Sequence, residues 1–82
     1  MLSKVIHLKY YAALREQRGC GEETVHTLAK TTESLYEELK KKHNLSLDTS
    51  ILKVAVNNEF VDWFTPLSPN DMVVFIPPVN GG

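Results

Sequence analysis

Ile6, Leu8 and Tyr10 alternate with His7 and Lys9, the period-two pattern of a strand with one buried face. From Tyr11 to Arg18 the period lengthens and predicts a short helical turn, with Tyr11 and Leu14 inward and Arg15 and Arg18 outward. Gly19-Cys20-Gly21 reads as a tight turn, and the β-branched content of 22–29 predicts a second strand antiparallel to the first. Thr31 or Thr32 then caps a helix whose apolar stripe is Leu35, Tyr36 and Leu39. Glu33 sits early in it and Lys40-Lys41-Lys42-His43 late, as the helix dipole favours, while Glu37 with Lys41 and Glu38 with Lys42 are i,i+4 pairs. That accounts for the basic run without a nucleic acid.

After a loop over 44–50 packed by Leu45 and Leu47, a third strand covers 51–56, with Leu52, Val54 and Val56 on one face. Asn57-Asn58 supplies the positive φ values of a two-residue hairpin turn into a short return strand, 59–61. The prolines of 65–71 keep the next segment irregular. Met72 to Ile76 is apolar at every position, which predicts a central strand. Val73 and Phe75 share one of its faces, and Met72, Val74 and Ile76 the other. One helix covers only one face of such a sheet, so the opposite face is a candidate docking surface, extended by Phe60, Trp63 and Phe64. The sum is an α+β fold in which a mixed sheet packs on one main helix, with the strands flanking the helix running parallel through a right-handed crossover.

The chain then changes character. Neither Pro77 nor Pro78 has a backbone donor and each fixes its own φ, so the hydrogen-bond ladder is expected to stop near Ile76. The expected organisation is a folded body over 1–76 and an extended tail over 77–82, Pro77-Pro78-Val79-Asn80-Gly81-Gly82. Glycines at the tip, joined to an apolar strand by Pro-Pro, suit entry into a channel too narrow for a Cβ.

Composition narrows the classes. At 82 residues the chain is one small domain, and its net charge of −1 argues against nucleic acid or an acidic membrane as the main partner. Every Lys and Arg lies at or before Lys53, whereas Glu59, Asp62, Asp71 and the terminal carboxylate follow it, so a partner receiving this end is expected to present positive charge. Cys20 is the only cysteine, which excludes an internal disulfide and suits a reducing compartment. No signal-like block or stretch of transmembrane length is present, and the cytosol is the expected location. The glycines around Cys20 lack the downstream Lys-Ser/Thr pair of a phosphate loop. Cys20 has no base placed for it by sequence, His7 reads as a cross-strand residue, and no metal-ligand spacing occurs. No permanently bound cofactor is expected. The group left for chemistry is the carboxylate of Gly82, ionised and a poor electrophile at neutral pH until something activates it. Adenylyl transfer from ATP would make it a mixed anhydride open to a sulfur or nitrogen nucleophile.

Tyr10-Tyr-Ala-Ala-Leu-Arg-Glu16, Val54-Ala-Val-Asn57, Pro66-Leu67 with Asp71, and the ending Phe75-Ile-Pro-Pro-Val-Asn-Gly-Gly82 together resemble the small-subunit family of molybdopterin synthase, over nearly the whole chain. The resemblance implies a ubiquitin-like β-grasp fold and a sulfur carrier that is not an enzyme on its own. It implies an E1-like adenylating enzyme that activates Gly82, and a sulfur donor that converts it to a thiocarboxylate. A large catalytic subunit would take the tail into its pocket and pass the sulfur to cyclic pyranopterin monophosphate. Gly81 would give clearance, Pro77 and Pro78 the arm, and Phe75 part of the apolar docking surface. Lys9, Tyr11 and Ile76 depart from common family residues but leave the tail intact. A carrier for thiamine or tRNA thiolation is the near alternative. A protein modifier joined through Gly82, or a domain binding only through the Val73/Phe75 side of the sheet, is the distant one. On this reading Phe75→Asp weakens pairing more than it lowers stability, and an unfolded variant places Phe75 in the core instead.

Overall fold

The computed structural model describes residues 2–78; Val79, Asn80, Gly81 and Gly82 lie outside them. The all-apolar segment takes the middle of the molecule. Strands β1 (Lys4–Tyr10), β2 (Glu22–Thr27), β3 (Lys53–Val56), β4 (Glu59–Val61) and β5 (Met72–Ile76) form one sheet in the order β2-β1-β5-β3-β4. Helix α1 (Ala12–Arg18) follows β1, and α2 (Thr32–His43) follows β2. A strand bonded on both edges and covered on one face has little use for polar side chains, which is why β5 lacks alternation.

The parallel pair is β1 with β5, in the register Leu8↔Val73 and Tyr10↔Phe75, while β3 runs antiparallel to β5 with Val54↔Phe75 and Lys53↔Ile76. The strands on either side of α2, β2 and β3, do point the same way. They are not neighbours, because β1 and β5 stand between them, and the crossover therefore spans the sheet.

Helix α2 begins where expected. Thr31 Oγ1 accepts from the Ser34 N–H and the Thr31 N–H donates to Ser34 Oγ, a reciprocal capping box. Leu35, Tyr36 and Leu39 face the sheet, fully buried against Ile6, Leu8, Val54, Val73 and Phe75. Asn57 and Asn58 adopt φ of 51° and 72°, the left-handed pair that a two-residue hairpin between β3 and β4 requires. His7 is a cross-strand residue: it pairs with Thr24, and Nδ1 shares a 3.2 Å hydrogen bond with Thr24 Oγ1.

The choice of face corrects an expectation. Val73 and Phe75 are both 0% exposed and point into the helix-covered core, so neither can meet a partner while the chain is folded. Phe75 meets Tyr36 edge-on at 5.1 Å between centroids and stacks on Trp63 at 6.0 Å. Trp63 is thereby drawn to the helix side as well, rather than extending a docking face. Tyr11 is a second correction: it precedes α1 with extended backbone and is half exposed, while Leu14 alone of that helix is buried. Tyr11 continues the extended backbone one residue past the buried Tyr10 and so faces the other way, and Ala12, with φ of 50°, makes the sharp bend into α1 only after it.

Candidate functional site

The ladder ends at the Lys53↔Ile76 pair, as the two prolines dictate. Because β1 and β5 are parallel and β3 is antiparallel to them, three chain segments meet at this end of the sheet. They are the end of β1, the end of β5 and the start of β3. Pro77 is buried there and Pro78 exposed. A groove of about 390 Å³ surrounds this tail root, lined by Ile51, Lys53, Phe60, Ile76, Pro77 and Pro78.

The groove belongs to the sheet face that α2 leaves open. Across that face the register aligns Phe60, Ala55, Val74 and Lys9 in one row. Phe60 is 70% exposed, and the Lys53 ammonium stands 5.7 Å from its ring centroid. Phe64, 74% exposed, is presented by a turn in which Asp62 Oδ1 accepts from the Phe64 N–H and the Thr65 hydroxyl. Of the side chains expected on the docking surface, Phe60 is on this face and Phe64 is exposed, while Val73, Phe75 and Trp63 belong to the core side. Ile51, Lys53, Val74 and Ile76 are the members that strand periodicity alone did not select. The parity of β5 relative to the buried Leu8 and Tyr10 would have selected Val74 and Ile76, and the β3–β5 register Lys53, but only once those registers are known.

Beneath the root, a polar network ties α1 to β1 and β2. Tyr10 Oη donates to Glu23 Oε2 at 2.6 Å, and Arg18 donates to both Glu23 oxygens at 2.8 Å. The Arg18 guanidinium holds the Glu23 carboxyl below the usual carboxylate range. Burial, reinforced by Glu23, pushes the Tyr10 phenol well above its ordinary value, so it remains a donor. Both effects stiffen the scaffold without making a nucleophile or a base. Among the described residues no three His, Cys, Asp or Glu side chains gather into a metal-holding group, and no helix is long and apolar enough to cross a membrane. Cys20 is half-buried and unpaired with another cysteine. The described residues thus hold a platform and a stiff exit for the tail.

A mixed five-stranded sheet on one main helix, leaving an apolar face beside the exit of its last strand, defines a ubiquitin-like β-grasp domain. The ThiS family model matches residues 8–82, and the chain belongs to that family of sulfur carriers. The chain is 32% identical over 81 residues to the molybdopterin synthase sulfur carrier subunit of Escherichia coli (strain K12), covering 95% of this chain and 100% of that one. A putative molybdopterin converting factor subunit 1 from Pyrococcus furiosus superposes with a TM-score of 0.77 at 30% identity, over 94% of this chain and 100% of the other. A complex of subunits 1 and 2 of the molybdopterin-converting factor from Helicobacter pylori 26695 gives 0.64 at 24% identity, over 95% and 99%. Within such a family the chain is the carrier of the sulfur and not the catalyst of its transfer.

Proposed function

We propose that this protein carries sulfur as a thiocarboxylate on Gly82 and delivers it to cyclic pyranopterin monophosphate inside a molybdopterin synthase. The observation that carries this reading is the ending Phe75-Ile-Pro-Pro-Val-Asn-Gly-Gly82, set on the central strand of a β-grasp sheet whose open apolar face surrounds the exit. The 32% identity to a molybdopterin synthase sulfur carrier subunit supports the choice of acceptor.

In the proposed cycle an E1-like enzyme binds ATP, and the Gly82 carboxylate attacks its α-phosphorus. Pyrophosphate leaves and an acyl adenylate forms. A sulfur nucleophile, in the simplest case hydrosulfide, adds to the acyl carbon and AMP departs, leaving the thiocarboxylate and a released proton. The large subunit then takes the tail, the sulfur passes to the pterin, and water restores the carboxylate; a second loaded chain supplies the other sulfur of the dithiolene. The chain's own contribution is delivery. Pro77 and Pro78 start the arm in fixed directions, so less freedom is lost when the tip enters a distant site. The open face around Phe60 and Ile76 supplies the docking area, and the arm ends at two glycines that need no side-chain clearance. The working location is the cytosol, where ATP and thiol donors are available.

Intact mass after incubation with ATP, sulfide and the adenylating enzyme tests the reading. The expected result is exchange of one oxygen for sulfur, mapped to Gly82, followed by formation of molybdopterin when the large subunit and the cyclic pterin are added. A loaded chain that serves only a thiamine or tRNA acceptor would redirect the pathway. A folded chain that no adenylating enzyme loads would discard the carrier chemistry. One residue added after Gly82 is expected to abolish loading and leave the fold unchanged, and normal loading of the extended chain counts against a terminal acyl adenylate.

A further inference from the structure

Read along the chain, the C-terminal third is acidic; around the tail root the folded molecule is basic. Lys9 stands beside Val74 on one flank of β5, and Lys53 beside Ile76 on the other. Arg15, exposed on α1, lines an adjacent groove of about 480 Å³ with Lys9, Tyr11 and Glu22. Two acids lie nearby: Glu22, 3.6 Å from Lys9, and Glu16, which lines a further groove with Arg15, while Lys53 has no ion pair among the described residues. The acids that follow Lys53 in sequence are placed elsewhere. Asp71 is at the opposite end of β5, accepting from Asn57 Nδ2 and the Ser68 N–H, and Glu59 lies opposite Val56, away from the exit. Asp62 caps the Phe64–Thr65 turn. The positively charged partner expected from sequence order concerns the end that carries the terminal carboxylate; at the docking face the described side chains are basic instead.

This has a physical consequence for whatever covers the groove. Phe60 and Ile76 supply apolar area, but Lys53 stands over Phe60 and cannot be left outside a contact that buries that ring. An ammonium taken out of water without a counter-charge is strongly unfavourable, and the same holds for Arg15 at the edge. A partner that buries the apolar centre compensates these cations best with carboxylates at these positions, and opposite charges there also speed and orient the encounter. We propose that the protein receiving the tail binds this face through an apolar patch rimmed by Asp or Glu side chains that meet Lys53 and Arg15. This rests on the carrier reading and specifies the surface chemistry of its receiver.

The test measures binding of the full chain to the large synthase subunit and to the adenylating enzyme of the same source, across a range of salt concentrations. Lys53→Glu is expected to weaken binding by about 10-fold or more, chiefly through slower association, and to flatten its salt dependence. Arg15→Glu is expected to act in the same direction. Lys30→Glu, in the loop before α2 and away from the exit, should bind as the unaltered chain does. Lys53→Gln, which removes the charge without reversing it, should fall between, and urea unfolding of each variant separates lost binding from lost structure. If Lys53→Glu binds either receiver as tightly as the unaltered chain, or more tightly, while Gly82 still loads with sulfur, the acidic rim is wrong and the carrier reading stands. If the unaltered chain neither loads nor binds either receiver, both are overturned.

Discussion

Glu23 receives three hydrogen bonds, one from the buried Tyr10 and two from Arg18, with Glu23 and Arg18 themselves half-buried. A carboxylate so held has a lower pKa folded than unfolded. Its stabilisation is therefore complete above the ordinary carboxyl value of about 4.3 and is lost as pH falls through the lowered folded value. Glu23→Gln is expected to cost about 1.5–3 kcal/mol at neutral pH, since it removes the charge and turns one of the two accepting oxygens into an NH2 that faces the donors of Arg18 or Tyr10. It should also flatten the acid limb of stability, measured by urea unfolding between neutral and acidic pH. A variant as acid-sensitive as the unaltered chain would place that sensitivity in other carboxylates. Ala12 acts in the opposite sense. At φ 50° its Cβ crowds the following carbonyl, a conformation glycine adopts freely. Ala12→Gly should raise stability by about 1 kcal/mol, read as a higher urea midpoint, and a lower midpoint would mean that helix propensity outweighs the relief.

Among elements, the best-formed boundary is the start of α2. Thr31→Ala removes one half of a capping box and is expected to cost about 1 kcal/mol, with a lower Tm and faster exchange of the first-turn amides. An unchanged Tm would show that the Thr31↔Pro66 bridge anchors that turn by itself. Local chemistry made these features readable in advance: a capping threonine, a left-handed Asn-Asn turn and a Pro-Pro stop each act within a few residues. Elements whose boundaries depend on distant partners were less readable. Residues 49–51 form a 3-10 turn, so β3 begins later than its apolar run suggests. The strand expected over 22–29 stops at Thr27, whose hydroxyl accepts from the Ala29 N–H and donates to Glu38. Tyr11 fits an inward helical position by periodicity, yet it is still extended and follows the buried Tyr10, so strand alternation puts it outside.

For the molecule as a whole, the two faces of β5 have different work. Phe75 joins Tyr10, Tyr36 and Trp63 in one aromatic cluster, and Phe75→Ala is expected to cost about 3–5 kcal/mol, a large share of a small domain's stability. Phe60→Ala should leave the urea midpoint within about 0.5 kcal/mol and weaken binding to the tail's receiver instead. The opposite pattern, a stable Phe75→Ala with lost binding, would reverse this assignment of faces.

The chain's own order of residues determined the elements, the capped helix, the central placement of β5, the stop at Pro77 and the glycine tip on which the proposed chemistry rests. These follow from short-range sterics and from periodicity, which neighbouring residues carry between them. Which face of β5 the helix covers, and which charges gather at the exit, were decided only by the tertiary structure. Alternation divides Val73 and Phe75 from Val74 and Ile76, but it carries no label for inside and outside. The Tyr10↔Phe75 register settles that label through contacts far apart in sequence, and the same register draws Lys9 and Lys53 to either side of an end that looked acidic along the chain.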